Sequence, residues 1–212
     1  MIDPLGGPAY WWPFVLGFAI SYLIGSIPFG LILTRMFGAG DLRNIGSGNI
    51  GATNVLRTGR KSLALATLLL DAAKGALPVW LAGTFFGPDM AVVAGLGAIL
   101  GHCFPVWLKF NGGKGVATAA GVVLTLTPLA GLIAFALFLV VVTLTRYVSL
   151  SSILAAVSAA PIAYLLGRVQ PAELYLLIAL IIIIKHHENI RRLIAGEESK
   201  VSFGKSAPAE KP

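Results

Sequence analysis

Long apolar runs, interrupted by short polar loops, decide what this chain can become. A helix needs about 20 apolar residues to cross a bilayer, and somewhat fewer where the bilayer thins. Such runs lie at about residues 11–37, 62–86, 90–108, 149–166 and 171–184. Residues 116–145 are too many for one straight span and contain Thr127-Pro128. The residue before a proline is pushed out of helical conformation, so two short helices with a tight turn are expected there. Only 12% of the residues are charged, against about 25% in a soluble domain. The expectation is an all-α integral membrane protein of seven transmembrane helices, some short, with the N-terminus outside and the C-terminus cytoplasmic.

Charge placement supports that count. Basic residues collect in cytoplasmic loops. With seven spans, all of the 16 Lys and Arg except Lys74 and Arg168 fall on that side. Were 116–145 a single helix, Lys185, Arg191 and Arg192 would be turned outside. The net charge of +7 therefore reads as topology, and no nucleic-acid partner is expected. Asp3 stands where a secretory leader would be basic, so no cleaved leader is expected. Cys103, the one cysteine, excludes an intrachain disulfide. Residues 1–196 are read as one transmembrane domain. Residues 197–212 are read as a polar tail, disordered on composition.

Three polar patches interrupt the apolar pattern. The first is Gly46-Ser47-Gly48-Asn49-Ile50-Gly51-Ala52-Thr53-Asn54-Val55-Leu56-Arg57. Glycines let backbone N–H groups converge on an anion, and Ser, Thr, Asn and Arg add donors. The candidate ligands are Gly46, Ser47, Gly48, Asn49, Gly51, Thr53, Asn54 and Arg57, with Arg57 as the bidentate partner of an anion. The alternative is a solvated basic loop with turn glycines. The second patch runs from His102-Cys103-Phe104-Pro105 to Asn111-Gly112-Gly113-Lys114-Gly115-Val116-Ala117-Thr118. It looks like a phosphate loop feeding a helix N-terminus, where unpaired N–H groups and the helix dipole attract anions. It is not a Walker A sequence: Leu108 stands where that motif has glycine, and Gly115 follows the lysine. Gly112, Gly113, Lys114, Gly115 and Thr118 are the candidates, with a flexible re-entrant turn as the alternative.

The third patch, Lys185-His186-His187-Glu188-Asn189-Ile190-Arg191-Arg192, follows the last apolar run. If helix continues, His186, Asn189 and Ile190 share one face. Adjacent histidines cannot both face one ion on a helix, and there is no HExxH, so no metal is expected. The alternative is a basic cap at the headgroups. Asp71 and Lys74 fall inside a span at i, i+3, read as a mutually neutralising pair, or else as a wall of the site or a proton path.

Taken together, these three patches resemble the signatures of the bacterial membrane acyl-phosphate:glycerol-3-phosphate acyltransferase family, in order and spacing over about residues 11–195. The resemblance implies transfer of a fatty acyl group from acyl phosphate to the 1-hydroxyl of sn-glycerol 3-phosphate. The products would be 1-acyl-glycerol 3-phosphate (lysophosphatidic acid) and inorganic phosphate, in phospholipid biosynthesis at the bacterial cytoplasmic (inner) membrane. It implies no cofactor. The expected partners are the two substrates and membrane lipid, with transient contact with the enzyme that makes acyl phosphate as a further expectation. The His-x4-Asp signature of acyl-CoA acyltransferases is absent, because Trp107, Arg191 and Arg192 stand five residues beyond the histidines. A transporter of a small phosphorylated solute is the alternative, but no repeat symmetry accompanies it.

The expected catalytic residues are Ser47, Arg57, Lys114, His186 and Asn189. Arg57 and Lys114 would neutralise two anions that repel one another. Ser47 would bind a phosphate oxygen or orient the attacking hydroxyl. His186 and Asn189 would position substrate or polarise the carbonyl. Either His186 or the departing phosphate would take the proton. Glu188 and His102 are expected to support the site.

Overall fold

The computed structural model describes residues 10–201, and all regular structure among them is helical. The first apolar run is one span, as expected, but is built of two helices, α1 (Trp11–Gly25) and α2 (Phe29–Met36). The cause is Pro28, which lacks an N–H and disfavours helix at the residue before it. The short α3 (Ala52–Leu56) carries the end of the first polar patch, and α4 (Lys61–Phe86) and α5 (Pro88–Cys103) follow. The Thr127-Pro128 step divides the next run into α6 (Val116–Leu126) and α7 (Pro128–Thr145). Then come α8 (Val148–Leu165), α9 (Val169–Lys185) and α10 (His187–Ile194), the last two meeting at 63°.

Among the described residues, five segments are long and apolar enough to cross a bilayer, counting α1 and α2 as one, and the bent α9–α10 pair makes a sixth if it is taken as one span. The eleven residues of α6 reach only about 16 Å. Large apolar side chains such as Leu69, Phe85, Phe135, Leu144 and Leu180 point outward, as lipid contact requires. Inside, helices approach through small residues. Gly25 of α1 lies against the backbone of Ala98 in α5, and Gly75 of α4 against Thr118 of α6. Ala159, Ala160 and Ala163 are buried in the main core with Tyr175, whose hydroxyl pairs with that of Thr127 at 2.7 Å. That contact satisfies two polar groups at the α6–α7 break.

The break between α1 and α2 has its own answer. Lys74 donates to the carbonyl oxygen of Ile27 at 2.8 Å and pairs with Asp71 at 2.7 Å, both side chains being buried. His102 Nδ1 lies 3.8 Å from Asp71 Oδ1. The pair inside the span thus fastens α4 to the kinked first helix.

The chain does not turn loose at residue 197. Residues 197–201, within the stretch read as a polar tail, lack regular structure but are tied back to the bundle by hydrogen bonds; the rest of that stretch, residues 202–212, lies outside the described residues.

Candidate active site

The first polar patch is organised from within by Asn54. Its buried side-chain amide donates to the carbonyl oxygens of Leu42 (3.0 Å), Ile45 (2.9 Å) and Asn49 (2.8 Å) and accepts from Ser47 N–H (3.2 Å). Asn54 is therefore the loop's internal brace, its NH2 hydrogens spent on backbone carbonyls and not offered to an anion. Asn49 Oδ1 accepts from Gly51 N–H at 2.9 Å, another internal bond. Ser47 on this loop and Thr53 in α3 are exposed. Gly46, in the left-handed region at φ 53°, leaves room for Arg57, whose side chain lies where a Cβ would stand. Before the loop, Asp41 pairs with both Arg35 (2.9 Å) and Arg43 (2.5 Å).

The second patch also differs from expectation. Gly112 N–H donates to Cys103 O (3.2 Å) and Gly113 N–H to His102 O (3.0 Å). These two N–H groups pin the loop to the end of α5 and are not offered to an anion. A Cβ on Gly113 would overlap the His102 imidazole, so glycine is needed there for close approach. Gly115, at φ 85°, begins α6 and leaves the first N–H groups of that helix free of intrahelical partners. Thr118 is fully buried against Gly75, away from the loops. Lys114 instead reaches across to α10 and donates to Asn189 Oδ1. Burial pushes its ammonium pKa below the usual lysine value; Glu198 and Glu188 oppose that shift, while Arg192 and Arg57 add to it.

In the third patch the helix breaks at His186 instead of continuing. The His186 backbone N–H bonds to the Ile182 and Ile183 carbonyls. Its buried ring joins Nδ1 to the Ile182 carbonyl at 2.8 Å. A carbonyl only accepts, so Nδ1 carries the hydrogen and Nε2 is left as the acceptor of the neutral ring. Glu188 is largely exposed and lies 4.0 Å from Arg192. Lys185 donates to Cys103 O at 3.1 Å, a further tie between α9 and the end of α5. Among the described residues no three His, Cys, Asp or Glu side chains gather as metal ligands.

Two residues absent from the expected set complete the nest. Ser149, in the first turn of α8, donates to Glu198 at 2.7 Å, and Glu198 also accepts from Asn189 (2.6 Å) and Arg192 (2.7 Å). Burial raises the Glu198 pKa, but those three hydrogen bonds outweigh it and hold the carboxyl below its ordinary value. Arg57 donates to Ser199 at 3.1 Å, joining the first patch to the same segment. The sequence signal for Ser149 was a hydroxyl opening an apolar helix beside Arg146; for Glu198 it was an acid two residues beyond the helix-ending Gly196.

Three loops and a helix break thus converge at one end of an apolar bundle around Arg57, Lys114, His186, Asn189 and Ser149, which makes this a multi-pass membrane protein with a cationic, donor-rich site. The family model of glycerol-3-phosphate acyltransferases matches residues 15–196, and the chain belongs to that family. It is 55% identical over 187 residues to the glycerol-3-phosphate acyltransferase of Mesorhizobium japonicum, covering 88% of this chain and 95% of that one. It is 57% identical over 183 residues to that of Agrobacterium fabrum, covering 86% and 89%. The fold matches the crystal structure of PlsY (YgiH), an integral membrane glycerol 3-phosphate acyltransferase, in its glycerol 3-phosphate form. That match has TM-score 0.86 and 40% identity and covers 90% of this chain and 96% of that one. The lysophosphatidic acid form matches with TM-score 0.84.

Proposed function

We propose that this protein transfers a fatty acyl group from acyl phosphate to the 1-hydroxyl of sn-glycerol 3-phosphate, giving lysophosphatidic acid and inorganic phosphate. The observation that carries the reading is the meeting of Lys114 with Asn189, beside Arg57, at one end of the bundle. Both substrates are phosphorylated. Bringing them within reacting distance requires fixed positive charge and oriented donors, and Arg57, Lys114 and the second amide hydrogen of Asn189 supply these. The hydroxyl oxygen attacks the acyl carbon, the bond from that carbon to the phosphate oxygen breaks, and phosphate leaves with the electron pair. The proton has two acceptors within this chemistry, His186 Nε2 and the leaving phosphate. Phosphate is a good leaving group, so no covalent acyl-serine is invoked for Ser47, which would bind a phosphate oxygen.

In this reading the chain has seven spans, α6 being the short one, with the N-terminus outside and the site on the cytoplasmic face of the inner membrane. Glycerol 3-phosphate enters from the cytoplasm, and the acyl chain lies among the apolar helices. Residues 1–196 form the catalytic domain. An enzyme supplying acyl phosphate meets the same face.

The test is phosphate release by purified protein given palmitoyl phosphate with and without glycerol 3-phosphate, EDTA being present throughout. Release that needs both substrates and yields lysophosphatidic acid is expected. Release without glycerol 3-phosphate, or turnover only with palmitoyl-CoA, would overturn the reading.

A further inference from the structure

Glu198 lies two residues beyond Gly196, past the end of α10. Its side chain is 6% exposed and gathers hydrogen bonds from Ser149 of α8 and from Asn189 and Arg192 of α10. The backbone around it is anchored as well. Ser199 accepts from Arg57, Val201 N–H donates to the Arg146 carbonyl at 2.8 Å, and Lys200 lies over the Tyr147 ring at 5.3 Å.

The consequence falls on Asn189. Its amide nitrogen faces the Glu198 carboxylate and its amide oxygen faces the Lys114 ammonium. A carboxylate accepts only and an ammonium donates only. Turned over, the amide would set oxygen against carboxylate and NH2 against ammonium, losing both bonds in a buried place where they are strongest. One end of this amide cannot be fixed without the other.

We propose that Glu198 is a positioning residue for the acyl transfer: held in place by the Ser149 hydroxyl and the Arg192 guanidinium, it locks the Asn189 amide with its oxygen toward Lys114, acting through Asn189 and not on substrate. This rests on the acyl-transfer reading above. Glu198 also faces Lys114 electrostatically, together with Glu188, Arg192 and Arg57, with His186 close by. Glu198 favours the charged ammonium, so its removal lets Lys114 lose its proton at lower pH.

The experiment uses the full chain in detergent or lipid, with palmitoyl phosphate and glycerol 3-phosphate. It compares kcat, KM, the pH profile of kcat/KM and the thermal midpoint of wild type, E198Q and E198D. E198Q keeps the shape of the side chain but has NH2 where Arg192 needs an acceptor. Folded E198Q is expected to lose kcat on the order of 100-fold, as a misplaced catalytic group does, with its alkaline limb displaced to lower pH. E198D restores the charge and is expected to return the limb toward wild type while recovering kcat in part. Folded E198Q with wild-type kcat and an unmoved limb would overturn the proposal. So would losses in both variants that only track the amount of folded protein, which would make the segment a clasp and nothing more. Absence of turnover by wild type would instead overturn the acyl-transfer reading, and this proposal with it.

Discussion

Lys114 and Asn189, 75 positions apart in sequence, meet through a single hydrogen bond that ties the glycine-rich loop after α5 to α10. Neither residue is placed by its own element alone. Gly112 and Gly113 pin the loop to the end of α5, and the break at His186 turns α10 to receive it. K114M and N189A are each expected to lower kcat/KM by about 10²–10³, as loss of one stabilising donor does. The double variant is expected to be little worse than either, because the two act as a unit. Phosphate release across the cycle measures this; simple additivity would mean that they work independently.

The pH profile should carry the mark of Lys114. The protonated amine is the working form, and burial lowers its pKa. The cation is thus lost at lower pH than in a free lysine at 10.5, so the alkaline limb of kcat/KM is expected below that value. R192Q removes a positive charge that lowers the same pKa and should move the limb upward. A limb that stays where it was in R192Q would assign it to another group.

G113A places a methyl against the His102 ring, which is buried between α4 and the loop. Overpacking of this kind costs about 2 kcal/mol, corresponding to a thermal midpoint lower by roughly 4–8 °C in a chain of this size. Acyl transfer should fall with it, since Lys114 is the next residue. An unchanged midpoint would show that the loop has slack.

D71N leaves Lys74 without its buried counter-charge and is expected to cost about 3–5 kcal/mol. Replacing both partners, as in D71L/K74M, should cost less than D71N alone, because no uncompensated charge remains inside. Thermal midpoints of the two variants in the same detergent compare them directly. A double variant less stable than D71N would point to the Ile27 contact as the larger contribution.

The parts that local chemistry dictates were readable in advance. The Thr127-Pro128 break needs only the geometry of proline, and the apolar runs need only their length. The convergence of three patches at one end followed from basic loops sorting to one side. What could not be read is where hydrogen bonds are spent. Gly112, Gly113 and Asn54 look from sequence like donors for a ligand, yet each is consumed by a carbonyl brought close by tertiary packing. Pro28 was visible, but apolar flanks on both sides hid its effect. Glu198 sits in a stretch whose composition resembles a loose tail, and its order comes from Ser149, Asn189 and Arg192, all distant in kind from any local pattern.

The kink answered by Lys74 bears on how the protein is made. The ribosome delivers α1 and α2 to the membrane well before α4. Until α4 arrives, the carbonyl of Ile27, out of the helical ladder, keeps only the turn bond from Phe29 N–H (3.1 Å), and the surrounding medium offers no second donor. A lysine and an aspartate likewise enter hydrocarbon poorly unless they already face each other and a polar group. Each segment carries what the other lacks, so the two are expected to leave the insertion machinery side by side, with the charge pair acting as the latch that registers the first span against α4.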